Sequence, residues 1–126
     1  NAILALNGGA KDGNFAHNTG EGSISSYHSE PGGDLIWQIG TGYFGCRNDD
    51  GSFNDELFKE KSNLENVKMI EIKISQGAKP GKGGMLPGSK VNQEIADIRG
   101  IEVGKDAFSP AFHSEFNTIG WWDIYT

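Results

Sequence analysis

The sequence predicts a parallel α/β fold, and three observations carry that reading. Val67-Lys68-Met69-Ile70-Glu71-Ile72-Lys73-Ile74 is the strongest strand signal in the chain, with apolar and polar residues alternating. Asp34-Leu35-Ile36-Trp37-Gln38-Ile39 is a second run, nearly continuous in apolar character, which suits a strand covered on both faces. Each run is followed by a loop and then by a short capped helix, one from Asn54 to about Ser62 and one from Asn92 to Arg99. Strand, loop, helix, repeated, is the rhythm of βαβ units in a parallel sheet.

Taken in order, Ala2-Ile3-Leu4-Ala5-Leu6 reads as the last turns of a helix stopped by Asn7-Gly8-Gly9. Residues 8–33 are rich in Gly, Asn and Ser and read as a loop long for a compact domain, a length more often functional or disordered than idle. After the strand at 34–39, Asn48-Asp49-Asp50-Gly51 is a turn. Asn54 then caps a helix, with Phe53 and Phe58 placed as a hydrophobic staple across its first turn. In the strand over 67–75, Ile70, Ile72 and Ile74 share one face, and Glu71, Lys73 and Ser75 share the other. That polar face meets solvent in a half-exposed sheet and lies near the catalytic mouth in a barrel, and both readings are open at this point. Asn92 caps the next helix and Gly100 ends it.

Composition narrows the function classes. The chain has 126 residues and a net charge of −6, so it lacks the basic surface that nonspecific nucleic-acid binding needs. No apolar run approaches the roughly 18 residues of a membrane span, and no signal peptide is visible. Mean hydropathy of −0.48 and 19 glycines are unfavourable to a self-contained core. The single cysteine, Cys46, excludes an internal disulfide and a paired-cysteine metal site, and it reads as a small buried hydrophobe. No metal site is expected. His17 and His28 are spaced unlike metal ligands and read as structural. The first residue is Asn, in keeping with a segment of a longer chain, and the cytoplasm is the expected compartment.

The chemistry concentrates in one stretch, Ser75-Gln76-Gly77-Ala78-Lys79-Pro80-Gly81-Lys82-Gly83-Gly84-Met85-Leu86-Pro87-Gly88-Ser89-Lys90-Val91. From Lys73 to Val91 there are four lysines and no acid, between a strand end and a helix start. Glycine-dense loops of local positive charge in that position hold anions. Two named phosphate motifs do not apply. Gly40-Thr41-Gly42-Tyr43-Phe44-Gly45 matches GxGxxG and follows a strand, but turn residues, not a helix, come next. Gly77 to Lys82 is one residue short of a P-loop, and Gly83 stands where a Ser or Thr would bind magnesium.

Gln76-Gly77-Ala78-Lys79-Pro80-Gly81, then Leu86-Pro87-Gly88, Lys90-Val91, Glu94-Ile95-Ala96 and Ile98-Arg99-Gly100, closely resembles the FMN-binding domain of glutamate synthase. Asn18-Thr19-Gly20-Glu21-Gly22 is similar to that family's substrate-side loop, and Ser109-Pro110 with His113 to the end of its next strand. The resemblance spans about residues 1–119. It implies part of a flavin-binding (β/α)8 TIM-type barrel, incomplete over residues 1–126, since such a barrel needs roughly 250 residues. The tail, Gly120 to Thr126, departs from the family's amphipathic helix and is left unassigned.

The resemblance also implies a reaction, in which 2-oxoglutarate condenses with ammonia and reduced FMN reduces the imine to glutamate. Lys79 and Arg99 fall at positions that hold the substrate carboxylates, with Glu21 lining the same pocket. Lys73 and Gln76 fall beside the flavin ring, and Lys73 and Glu21 are the candidate catalytic pair. The residue types suit these roles, because Arg grips a carboxylate in bidentate fashion and Lys serves as a point charge. Met85 stands where well-studied members have a substrate-contacting glutamine. His113 is open to two readings, pocket-facing or structural. The family's iron–sulfur cluster needs three cysteines and would lie outside this segment, as would any amidotransferase supplying ammonia. The electron donor is unknown, and the segment alone is expected to be inactive. The alternative from another class is a non-catalytic anion-binding or assembly domain derived from the same barrel.

Overall fold

A computed structural model of the chain describes residues 1–76 and 81–115. Its centre is β2 (Leu35–Ile39), with Leu35, Trp37 and Ile39 buried. β1 (His17–Asn18) and β3 (Val67–Ile72) flank it, both parallel to it, with His17 opposite Leu35 and Ile39 opposite Ile72. The parallel sheet anticipated from the apolar runs is therefore present, in the order β1-β2-β3. A row of polar side chains crosses all three strands: Asn18 Nδ2 and Gln38 Nε2 both donate to the Glu71 carboxylate.

The other side of the sheet is the core. Trp37, Ile39, Tyr43 and Cys46 form its buried cluster, and Phe53, Phe58, Val67 and Ile70 pack against it. α3 (Asp55–Ser62) covers this face. Its Asn54 cap accepts the Leu57 N–H at 2.9 Å, and the Phe53 and Phe58 rings lie 5.4 Å apart as the staple requires. The Phe58 ring stacks on Trp37 at 5.8 Å. α4 (Gln93–Arg99) is capped by Asn92, which accepts the Ile95 N–H at 2.9 Å, and ends at Gly100 in the left-handed region with φ of 69°.

Four expectations are corrected. The first helix does not stop at Asn7; α1 runs Ala2–Gly13 and ends at Asn14 with φ of 56°. Asn7 is buried within it and uses its amide on the backbone of Gly33, accepting the N–H at 2.9 Å and donating to the carbonyl at 3.4 Å. A tertiary partner thus replaces the local capping role its type and neighbours implied. Residues 8–33 are not one loop: besides the end of α1 they hold β1 and a short helix, α2 (Ser26–Ser29). β3 ends at Ile72 instead of continuing to 75, and of the three aligned isoleucines only Ile70 packs on the core, Ile74 being 70% exposed.

The fourth correction concerns the strand near Ser109. β5 (Ala107–Ser109) does not add to the parallel sheet but pairs antiparallel with β4 (Gly84–Leu86), which follows the lysine-rich loop. Gly83 permits this approach. A Cβ there would lie 1.7 Å from the Ser109 carbonyl oxygen, closer than any side chain can come.

Both outer strands of the parallel sheet leave open edges, and Met69, Ile74, Phe108 and Phe112 are each more than half exposed. Open edges with exposed apolar side chains favour association. Residues 1–126 produced alone are expected to self-associate, as light scattering on the purified segment will show. A monodisperse monomer with a cooperative thermal transition would contradict this.

Candidate functional site

Because the three strands are parallel, their C-terminal ends lie together, where ligand sites of parallel sheets form. The loop leaving β1 carries Glu21, the loop leaving β2 carries Tyr43 and Phe44, and the chain leaving β3 carries Lys73 and Gln76. The β1 loop is fastened to β2: the Gln38 N–H donates to Thr19 Oγ1 at 3.1 Å, and the Thr19 N–H to the Ile36 carbonyl at 3.0 Å. Behind Glu21, Ser23 accepts from Lys61 Nζ of α3 at 3.2 Å. Burial lowers the Lys61 ammonium pKa, and burial raises that of the neighbouring Cys46 thiol to about 12, so Cys46 is an inert core residue, as its sequence context implied.

Glu21, Lys73 and Gln76 close a triangle. Lys73 Nζ lies 2.8 Å from Glu21 Oε2 and donates to Gln76 Oε1 at 3.0 Å. Gln76 Nε2 donates to both Glu21 oxygens, at 3.1 and 3.0 Å. Each side chain thereby fixes the other two, and the Gln76 amide is oriented with its oxygen toward the ammonium and its nitrogen toward the carboxylate. An ammonium has three N–H donors. Two of Lys73's are directed at these partners, leaving one for a ligand. This donor chemistry fits the carbonyl-bearing polar edge of a flavin.

Beside the triangle lies a cavity of about 260 Å³ lined by Glu21, Phe44, Gln76, Met85, Arg99 and Ser109 among others. Four of the residues singled out from sequence therefore meet in one pocket, and Lys73 is joined to it through Glu21. Met85, on β4, is 57% exposed at its rim. Lys79 lies outside the described residues. Arg99, the last residue of α4, is half-buried with its guanidinium carbon 5.1 Å from the centre of the Phe44 ring. Among the described residues its side chain forms no ion pair and no hydrogen bond, whereas Lys73 has its charge matched by Glu21. The pocket thus presents one uncompensated guanidinium among its described residues.

His113 is not in that lining. It is buried, with Nε2 2.8 Å from the Lys73 carbonyl oxygen and Nδ1 3.1 Å from the Tyr43 hydroxyl. A carbonyl only accepts, so Nε2 carries the proton toward Lys73 and Nδ1 faces the phenol. Burial raises the Tyr43 pKa, keeping it a neutral donor. Of the two readings the structural one holds, with His113 bracing the backbone of Lys73 from behind. His28 is likewise structural. Its Nδ1 accepts the Ser25 N–H at 3.0 Å, and burial lowers its pKa. Among the described residues no cluster of His, Cys, Asp and Glu is arranged to hold a metal, and no helix is long and apolar enough to cross a membrane.

Sequence reasoning passed over Phe44. It lies inside the Gly40–Gly45 pattern, set aside as a nucleotide motif because turns follow it. Turns do follow: the Cys46 N–H donates to the Tyr43 carbonyl, and no helix opens there. The signal available was the aromatic pair itself, Tyr43-Phe44 in a glycine-rich loop at the end of a buried strand.

Comparison with known proteins is decisive at the family level. Residues 1–121 match the family model described as the conserved region in glutamate synthase. Over 100 residues, 79% of this chain and 19% of the relative, the chain is 49% identical to a glutamate synthase large subunit-like protein, YerD, of Bacillus subtilis. It is 40% identical to an archaeal-type glutamate synthase [NADPH] of Thermotoga maritima over 119 residues, 94% of this chain and 21% of that one. A ferredoxin-dependent glutamate synthase of Antithamnion sp. is 50% identical over 56 residues, 44% of this chain and 4% of its own. The chain spans about a fifth of the length of the first two relatives. With its parallel sheet and a family match over nearly its whole length, the chain belongs to the glutamate synthase family.

Proposed function

We propose that this chain is the substrate-side portion of a glutamate synthase-type oxidoreductase that makes glutamate from 2-oxoglutarate and ammonia. The observation that carries the reading is Arg99, a half-buried guanidinium facing a small pocket with no carboxylate partner among the described residues. Such a group seeks an anion of matching geometry, and a carboxylate accepts two parallel N–H bonds from it. The cavity, about 260 Å³ and open on one side, has room for a small dicarboxylate. Lys79 is assigned to the second carboxylate.

In the complete protein the three parallel strands belong to a (β/α)8 barrel that holds FMN, and the flavin supplies hydride for reduction of the imine. Lys73 and Gln76 are assigned to the polar edge of the ring. Glu21 holds Lys73 and Gln76 in place, so that the remaining ammonium N–H is directed before any ligand arrives. Arg99 and Lys79 hold the substrate in one orientation, which converts a bimolecular encounter into a positioned one. Met85 closes the pocket rim without adding a hydrogen-bond donor.

Two measurements test this. The phosphate grip in such barrels comes from the loops after strands 7 and 8, so the complete protein is expected to show a flavin visible spectrum while residues 1–126 alone leave FMN fluorescence unquenched. Micromolar binding of FMN by the segment would overturn the assignment. In the complete protein, Arg99→Lys keeps the charge and loses the planar fork. Loss of one charge-assisted hydrogen bond costs about 1.5–3 kcal/mol, so kcat/KM for 2-oxoglutarate is expected to fall roughly ten- to hundredfold with bound flavin unchanged. Were Arg99 only a helix-end charge, lysine would complement the helix dipole equally well and the kinetics would not move.

A further inference from the structure

We infer that Phe44 is the positioning residue for Arg99, holding the guanidinium in the orientation that receives a carboxylate; this rests on the reading of Arg99 as the carboxylate anchor. An arginine has several rotatable bonds, and Arg99 has no hydrogen bond or ion pair among the described residues to choose between its rotamers. Packing is what remains. The guanidinium carbon sits 5.1 Å from the Phe44 ring centre, within the range of cation–π attraction. Gly22 also lies close to the guanidinium: a Cβ there would stand 3.2 Å from Arg99 Nη2, tighter than ordinary contact.

The ring is itself held. Phe44 is buried, and the N–H of the next residue, Gly45, donates to the Arg99 carbonyl at 3.2 Å, so the loop bearing the ring and the helix bearing the arginine are joined at their backbones. Arg47 approaches the same ring at 5.5 Å and donates through Nη1 to the Gly42 carbonyl at 2.9 Å, tying the loop across its own turn. Phe44 also lines the pocket beside Arg99. The ring thus does for Arg99 what Glu21 does for Lys73, with a π face in place of a carboxylate. The difference matters for binding, because a carboxylate partner would compete with the substrate for the guanidinium and a ring does not.

The test is calorimetric titration of 2-oxoglutarate into the complete, flavin-loaded protein. Arg99→Ala is expected to weaken binding by tenfold or more. Phe44→Leu, which keeps apolar bulk and removes the ring, is expected to raise Kd about three- to tenfold, and Phe44→Tyr to restore it. In the Arg99→Ala background Phe44→Leu is expected to add nothing, because the two changes remove one interaction. If Phe44→Leu does not fold, Gly22→Ala presses on the guanidinium and is expected to raise Kd similarly. A Phe44→Leu protein that loses thermal stability but keeps its Kd would overturn the inference while leaving Arg99 as the anchor. So would an equal loss in the Arg99→Ala background. An Arg99→Ala protein with unchanged Kd would instead overturn the reading of Arg99 itself, and this inference with it.

Discussion

A carboxylate held between an ammonium and an amide is the constraint on which the site depends. Glu21 leaves β1, Lys73 and Gln76 leave β3, and the bonds among them span the end of β2, where Gly40 passes so close that a Cβ would stand 2.9 Å from Glu21 Oε2. Three chain segments far apart in sequence are thereby fixed at one point. The triangle also sets the electrostatics. Lys73 is matched by Glu21, whereas Arg99 has no ion pair among the described residues. The two cations are therefore held differently: Lys73 sits in a hydrogen-bond set, and on the proposed reading Arg99 is left to meet an anion.

Close backbone approach is the second condition, and two glycines at the site supply it. Gly83 lets β4 meet β5 where any side chain would strike the Ser109 carbonyl. Gly45, at φ of 89°, leaves no room for a Cβ beside Ser23 Oγ, which would be 1.9 Å away. The first contact sets the end of the lysine-rich loop against Ser109, and the second sets the Phe44 loop against the loop that carries Glu21. The loop composition that raises the entropic cost of folding the chain is thus tied to the place where the pocket forms.

How legible this was in the sequence follows from the range of the interactions involved. α3 and α4 were readable because their signals are local: an Asn cap, a staple, a left-handed glycine. β2 was readable because its apolar run is nearly continuous, although only the face of Leu35, Trp37 and Ile39 is fully buried and Gln38 joins the polar row on the other. α1 was not, because Asn7 is satisfied by Gly33, 26 residues away, and nothing local announces that bond. The antiparallel partnership of β4 and β5 was hidden for the same reason, resting on one non-local approach at Gly83. Within the site, the family resemblance pointed to Glu21, Lys73, Gln76, Met85 and Arg99, which the structure brings together, and Lys79 falls outside the described residues. His113 braces the Lys73 backbone, and Phe44 is inferred to act through Arg99; the Tyr43-Phe44 pair and the position of His113 after Ser109-Pro110 mark these residues without stating such roles.

Met85 shows where recognition in this pocket is concentrated. Its thioether lines the pocket where the family resemblance implies a substrate-contacting glutamine in other members, and it is more than half exposed. Removing an amide from an exposed position leaves no buried polar group unsatisfied, so the protein itself loses little. The substrate loses at most one neutral hydrogen bond, about 0.5–1.5 kcal/mol, against about 1.5–3 kcal/mol for a bond to a charged group. On the proposed reading, carboxylate recognition through Arg99 therefore outweighs the amide that is missing. What the amide would have added is discrimination among groups near the rim, since a site built to hydrogen-bond a polar group rejects ligands that lack it and a methionine does not. With Met85 in place, selection on the proposed reading falls on charge. A Phe44 ring that orients Arg99, as we infer, then governs selectivity as well as affinity.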